Sequence, residues 1–421
     1  MYLRRLQKKW VKMKIVQINC VYNSGSTGKI TKDLHEAFMF AGHDSFVLYG
    51  RGSKIKDERI YKVCHEYYSH INKLWSRISG LMYGGCFFST NKTINLIKKI
   101  KPDIVHIQCI NGYFINIPRL IKWLKKNDFA TVITLHAEFM FTGNCGYAFE
   151  CDRWKYGCGH CPRLKDEIKS LIFDRTHQSW LKMKKSLDNF KNSFVVSVSP
   201  WLMERAKQSP ILKQLNHCVI KNGVDETVFY YRQTIPDSMK NIKIGTDSKK
   251  VLYVTPNFNK DINHNKGGFY LLALAKIMPN IVFFVAGHVN ASESLDAPKN
   301  VIFLGNVKDQ QELSKLYSIC DITLLLSKRE TYSMVVAESM CCGTPIVGFL
   351  SGGPESIAIE EYSLFVEYGN IGALKEAILL FIAKKHNKRK MSENAINHYS
   401  KGGMCSKYLS VYNELKKGAE K

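Results

Sequence analysis

The stretch ITLLLSKRETYSMVVAESMCCGTPIVGF, residues 322–349, decides the fold. ITLLLS (322–327) is an apolar run of strand length, 333–343 reads as a helix, and PIVGF (345–349) is a second strand. Strand, helix and strand in so short a span form a parallel βαβ crossover. The first strand ends at Ser327, Glu330 lies in the loop at its carboxyl end, and the helix starts near Ser333. Backbone N–H groups of Ser333, Met334 and Val335 then point out of the helix start, where a phosphate binds without a basic side chain. Glu338, about a turn and a half into the helix, reaches back toward the vicinal hydroxyls of a ribose. Glu330 accepts hydrogen bonds from a sugar on the other side of the phosphates. On spacing alone, both glutamates also read as surface residues flanking a helix.

Outward from this unit the alternation continues. Strands fit 251–255, 281–287, 301–305 and 364–368, with helices at 266–278, 309–320 and 371–385. Before it, strands fit 15–21, 45–50, 103–108, 131–136, 194–199 and 217–222, with helices at 28–41, 116–127 and 166–190. Residues 231–249 are polar, hold Pro236 and Gly245, and lack apolar periodicity. The chain therefore reads as α/β, two Rossmann-like βαβ domains with ligands in the cleft between them. The expected divisions are a basic arm (1–12), an N-terminal domain (13–230), a linker (231–249), a C-terminal domain (250–400) and a last segment (401–421). Met13 is a second candidate start, and the segment before it reads as a basic surface arm or as a tail of no consequence.

Composition agrees. At 421 residues the chain is too long for one ordinary core, and 45% hydrophobic residues exclude wholesale disorder. No apolar run approaches the ~20 residues of a membrane span. Thirteen cysteines without a leader indicate a reduced, cytoplasmic setting. The net charge of +25 is uneven, because residues 1–230 hold 37 Lys+Arg against 18 Asp+Glu. A basic half calls for an anionic partner: nucleic acid, a membrane face or a phosphorylated small molecule.

The Glu330-x7-Glu338 pattern, followed by GTPIV (343–347) and GGPE (352–355), resembles the nucleotide-sugar site of glycosyltransferase family 4, the retaining GT-B enzymes. The resemblance runs from Met13 over nearly the whole chain. It includes GSTG (25–28), KPDIVH (101–106), TLH (134–136), NGVD with a following Phe (222–229) and Lys266-Gly267. It is strongest toward bacterial transferases of surface-polysaccharide assembly, including the colanic-acid type.

This resemblance implies a GT-B fold, two domains facing each other across a deep cleft, and a last helix crossing back to the first domain. It implies transfer of a sugar from a nucleoside diphosphate donor to a hydroxyl of a saccharide or lipid-linked saccharide, in capsule, exopolysaccharide or O-antigen assembly. Gly25 and Gly28 would lie beside the donor diphosphate and the acceptor, where glycine admits close backbone approach. His136 would hydrogen-bond the donor sugar, and with Glu330 it forms the expected catalytic pair. Lys266 would meet the leaving diphosphate, while Asn306 and Val307 would hold the base through backbone groups. The family commonly has His-Asp where this chain has His136, Ala137 and Glu138. It also often adds an arginine before the lysine, where this loop offers only Lys260. No cofactor is expected for catalysis, and no Asp-x-Asp diphosphate motif occurs.

Cys145, Cys151, Cys158 and Cys161 cluster within NCGYAFECDRWKYGCGHCP, in an insertion spanning 143–163. In a reduced compartment they read as a structural zinc site, with His160 as a substitute ligand and oxidised pairs or unligated thiols as the alternatives. The basic first half predicts peripheral binding to anionic membranes, at the inner face of the cytoplasmic membrane, through the arm, 51–77 or 119–126. Nucleic acid is not an expected partner, because no module frames its aromatic and basic residues. Three rivals remain at this stage: a GT-B phosphorylase-like enzyme on phosphosugars, a polyanion- or RNA-binding protein, and a non-catalytic sugar-nucleotide sensor.

Overall fold

The computed structural model describes residues 11–242, 245, 248–294 and 296–419. Most of the expected arm (1–12) lies outside the described residues. The chain divides into two compact units, one running up to Lys221 and resuming at Met404, the other Asn222–Gly403.

The first unit holds seven strands: β1 (Lys14–Val21), β2 (Asp44–Arg51), β3 (Ile60–Lys62), β4 (Ile104–Ile107), β5 (Thr131–Leu135), β6 (Ser193–Ser197) and β7 (Asn216–Val219). Their order is β3-β2-β1-β4-β5-β6-β7, all parallel. The helices between them are α1 (Gly25–Phe40), α2 (Glu66–Ser79), α3 (Phe87–Ile100), α4 (Ile117–Lys126), α5 (Thr176–Leu187) and α6 (Pro200–Gln208). The second unit holds β8 (Lys249–Asn257), β9 (Ile281–His288), β10 (Val301–Gly305), β11 (Ile322–Leu325), β12 (Ile346–Phe349) and β13 (Ser363–Val366), in the parallel order β10-β9-β8-β11-β12-β13. Its helices are α7 (Gly268–Ile277), α8 (Ala291–Ser294), α9 (Gln310–Ile319), α10 (Met334–Cys341), α11 (Gly353–Ile357), α12 (Ile371–Ala383) and α13 (Lys388–Tyr399). A last helix, α14 (Lys401–Ala419), ends the description.

In both sheets the strand order reverses once, between β1 and β4 in the first unit and between β8 and β11 in the second. At such a switch point the two adjacent crossover connections leave on opposite faces, and the loops at the strands' carboxyl ends splay apart to leave a crevice. The buried apolar strands follow the sequence, for parallel strands covered on both faces read as continuous hydrophobic runs. Two expectations change. The helix expected over 166–190 begins only at Thr176, since Lys169 adopts a left-handed φ of 56° after a single wide turn at Leu164–Ile168. Helices α2 and α3 were not anticipated; α2 carries its apolar residues at helical spacing but on its exposed face, and buries Ser69, Asn72 and Ser76.

The boundary between the units falls at Lys221, ahead of the polar 231–249 stretch. Asn222–Asp225 is held within the second unit by a bridge from Val224 to Ser400 and by Lys401 Nζ on the Asp225 carboxylate at 2.7 Å. From Met404 onward the chain joins the core of the first unit. There Tyr408, Leu409, Tyr412 and Leu415 pack with Ile30, Leu34 and Phe38 of α1 and Ile104 and Val132 of the sheet. His106, fully buried on β4, ties this contact. Its Nδ1 meets Tyr412 Oη at 2.7 Å and its Nε2 meets Thr134 Oγ1 at 2.8 Å, and Thr134 Oγ1 also meets Tyr408 Oη at 3.0 Å. The KPDIVH motif thus ends in a structural histidine.

Removing only the Tyr412 hydroxyl (Tyr412→Phe) should cost about 1 kcal/mol, one net hydrogen bond. Removing the ring (Tyr412→Ala) should cost about 3–5 kcal/mol through the cavity it leaves. Urea unfolding followed by a first-unit signal measures both, and equal costs would contradict this account of the core.

Candidate functional site

In the second unit, the loops after β8 and β11 carry the two residues that meet. Lys266 Nζ lies 2.5 Å from Glu330 Oε1, with the lysine side chain 31% and the glutamate 12% exposed. Asn265 stitches these loops together: its Nδ2 donates to Arg329 O at 3.0 Å, its Oδ1 accepts from Arg329 N at 3.0 Å, and its carbonyl accepts from Lys328 N at 2.8 Å. Tyr253 Oη donates to Lys266 O at 2.6 Å. Gly267 is obligatory here. Its φ is +76°, and a Cβ would stand 2.2 Å from Leu326 O.

Glu330 is held from its far side by the GGPE loop. Its N–H donates to Ser351 O at 3.0 Å, and its carbonyl accepts from Gly353 N at 2.9 Å. The Glu355 carboxylate closes that loop by accepting from Gly352 N at 2.6 Å and Ser351 N at 3.1 Å. Gly353 can have no side chain, since a Cβ would fall 2.2 Å from Thr331 O.

Ser333 precedes α10 at φ 78°, ψ 102°, an uncommon conformation for a residue with a side chain, and its side chain makes no capping bond. The first N–H groups of α10, from Met334 and Val335 onward, are therefore uncapped by it, and no acid lies in the first turn. Glu338, half-buried on α10, accepts from Tyr317 Oη at 3.2 Å. Burial and the adjacent Glu338 hold the Tyr317 phenol well above its usual range, so it stays a neutral donor. Tyr317 was not singled out in the sequence, where an aromatic on α9 reads as core. Asn306 is exposed and Val307 half-buried just past β10, at the sheet edge. Lys260 does not join Lys266: its amine donates to Ser292 O at 2.9 Å.

In the first unit, Gly25 opens α1 with φ +61°, and Gly28 is buried against β1, where a Cβ would lie 3.0 Å from Val21 Cγ2. His136 follows β5, and its Nε2 lies 3.0 Å from Gln108 Oε1. Gln108 in turn donates to Gln17 Oε1 at 2.8 Å. Since an amide oxygen only accepts, His136 Nε2 carries the proton. Burial pushes the His136 pKa down to about 4, and that of His106 to about 3. Ala137 stands where the family commonly has aspartate, and Glu138, one residue on, does not assist His136. It is fully buried, pairs with Arg205 Nε at 2.5 Å, and accepts from Ala148 N at 2.5 Å.

The zinc expectation is corrected. Cys145, Cys151, Cys158 and Cys161 border one small apolar void. Yet among the described residues no group of three or more His, Cys, Asp or Glu is placed to hold a metal ion. All four are free thiols: Cys145 and Cys161 hydrogen-bond each other, Cys158 Sγ accepts from Gly143 N at 3.1 Å, and His160 is exposed.

Because the two histidines are held neutral, the unfolded chain binds protons below its ordinary pKa of ~6.5 while the folded unit does not. Stability of the first unit should be full above that value and fall as pH drops toward about 4. His136→Gln should flatten part of the slope of urea midpoint against pH. A slope unchanged by the substitution would contradict the assigned burial effect.

Comparisons with known proteins bear on the fold and on the class of enzyme. Residues 235–398 match the family described as "Glycosyl transferases group 1". The chain is 21% identical, over 96% of its length and 100% of the relative's, to WcaC of Escherichia coli K12, whose name places it among glycosyl transferases of colanic acid biosynthesis. It is 26% identical, over 47% of its length and 53% of the relative's, to N-acetyl-alpha-D-glucosaminyl L-malate synthase of Bacillus anthracis. Among solved structures it resembles sucrose-phosphate synthase of Thermosynechococcus elongatus (TM-score 0.67, 16% identity, 97% of this chain and 100% of the other). It also resembles WaaG, a glycosyltransferase involved in lipopolysaccharide biosynthesis (TM-score 0.59, 14%, 94% and 99%), and HepE of Anabaena in complex with UDP-glucose (TM-score 0.62, 14%, 96% and 100%). The fold is GT-B, the second unit carries a glycosyl transferases group 1 domain, and the protein is a glycosyltransferase.

Proposed function

We propose that this glycosyltransferase moves a sugar, with retention at the anomeric carbon, from a nucleoside diphosphate to a hydroxyl of a lipid-linked saccharide in bacterial surface-polysaccharide assembly. The observation that carries the reading is the Lys266–Glu330 pair at the carboxyl ends of β8 and β11, flanking the switch point. A diphosphate arriving there takes the ammonium of Lys266 and frees the Glu330 carboxylate to accept from the donor sugar's hydroxyls. Met334 and Val335, behind Ser333, turn uncapped N–H groups toward the phosphates. Glu338, oriented by Tyr317, takes the ribose hydroxyls, and Asn306 and Val307 take the base.

Gly25 and Gly28 give backbone approach to the diphosphate and acceptor, and neutral His136 donates to the donor sugar. Charge building on the departing phosphate is met by fixed N–H groups and one ammonium, the largest contribution expected in such a transfer. The departing phosphate oxygen receives the acceptor hydroxyl's proton, so no separate base is required. The surface-polysaccharide setting follows the names of WcaC and WaaG, and a nucleotide-sugar donor follows HepE in complex with UDP-glucose. No described helix is long and apolar enough to cross a membrane. Access to a lipid-linked acceptor is through peripheral binding at the inner face of the cytoplasmic membrane.

Thermal-shift titration with UDP, GDP, ADP and their sugars tests the site. One nucleotide should stabilise the protein, by about 2.7 kcal/mol at a hundredfold excess over Kd. Glu338→Ala should remove most of this for every form of that nucleotide. Glu330→Ala should weaken the sugar nucleotide more than the bare diphosphate. Unchanged binding in both variants would refute the assignment.

A further inference from the structure

Helix α2 is built inside out. Its buried face is Ser69, Asn72 and Ser76, with Ser69 Oγ on Gly112 O at 3.4 Å and Asn72 Oδ1 accepting from Cys86 N at 2.7 Å. Tyr67, Ile71, Leu74, Trp75 and Ile78 share the opposite face at helical spacing and are exposed, Tyr67 by 78%. Exposed neighbours extend this apolar surface. Phe88 stands 5.7 Å from the Tyr68 ring, and Leu171–Phe173 is pinned to the end of α2 by Leu171 N on Arg77 O at 2.8 Å. Contiguous apolar patches of this kind mark protein or membrane contacts.

A cavity of about 400 Å3 opens beside it. Leu81, Met82 and Phe87 form its apolar wall, and Arg119, Lys122 and Lys182 supply three cations. Trp75 and Phe87 join it to the α2 face, since a Cβ on Gly84, which lines the cavity, would stand 3.7 Å from the Trp75 indole. Arg119 is stacked 5.6 Å above Phe87 and bonded to Asn91. Among the described residues neither Lys122 nor Lys182 has a carboxylate within ion-pair distance. At the cavity wall Asn144, 4% exposed and held at φ 84°, has its Nδ2 buried without a hydrogen-bond partner. A buried donor left without a partner is unfavourable, and a nearby acceptor relieves it.

We propose that this cavity binds the phosphomonoester headgroup of an anionic lipid whose hydrocarbon lies along the exposed face of α2, within a membrane surface. Three cations and an orphaned N–H select a phosphate, and the apolar face selects one attached to hydrocarbon. The inference deepens the membrane-surface reading above and rests on it, but it does not depend on the donor chemistry.

The test is vesicle flotation of the full chain. Three preparations are compared: phosphatidylcholine alone, phosphatidylcholine with phosphatidic acid, and phosphatidylcholine with phosphatidylserine matched for surface potential. The wild type should prefer phosphatidic acid, and inorganic phosphate should not release it. Lys122→Gln/Lys182→Gln should bind those vesicles about thirtyfold more weakly, with its nucleotide-induced thermal shift intact as proof of folding. Leu74→Glu should lose binding to every vesicle. Equal recovery on the two anionic preparations by wild type and double variant would overturn the phosphate site while leaving peripheral binding standing. Release by inorganic phosphate would overturn the lipid assignment. Failure to float with any vesicle would overturn both the site and the membrane reading.

Discussion

The second unit depends on a short parallel bridge in which the Glu330 backbone is held between Ser351 and Gly353. The bridge fixes a glutamate where the strand order reverses, and Asn265 fixes Lys266 opposite it. Both placements rest on backbone hydrogen bonds and on the short-range clamps of Asn265 and Glu355. Backbone hydrogen bonds, the glycines at 267 and 353 that cannot carry a Cβ, and the Glu355 clamp make the loops rigid before any ligand arrives. Preorganisation of this kind is what lets a few fixed donors stabilise developing charge without reorganising at the moment of reaction.

The first unit is organised by different physics. Its sheet is closed on one side by the last helix, through apolar packing and a buried His106–Tyr412–Thr134–Tyr408 network. The same burial that makes His106 structural keeps His136 neutral. His136 therefore acts as a hydrogen-bond donor, not as a cation, at ordinary pH. Glu138, two residues past His136, is taken up by Arg205 and the cysteine-rich insertion.

Legibility in the sequence followed burial. The parallel strands were readable because strands covered on both faces are uniformly apolar; Lys266 and Glu330 were singled out by separate motifs, and their meeting across two loops was not readable from either. Helix α2 was missed although its apolar residues recur at helical spacing, and that period would have buried the wrong face, since its core face is Ser69, Asn72 and Ser76. Tyr317 and Asn265 were missed because their roles come from contacts far along the chain. The cysteine cluster was legible as a spatial group but not as a metal site, since spacing along the chain does not decide whether four thiols converge on one point.

The central claim is that Lys266 and Glu330 hold each other until a diphosphate separates them. A double-mutant cycle on nucleoside diphosphate affinity, with Lys266→Ala, Glu330→Ala and the pair measured by calorimetry, tests it most directly. The account predicts that Lys266→Ala weakens binding, that Glu330→Ala alone leaves it unchanged or tighter, and that any gain vanishes when Lys266 is also absent. If Glu330→Ala weakens the bare diphosphate as much as Lys266→Ala does, and the two losses simply add, the claim is wrong.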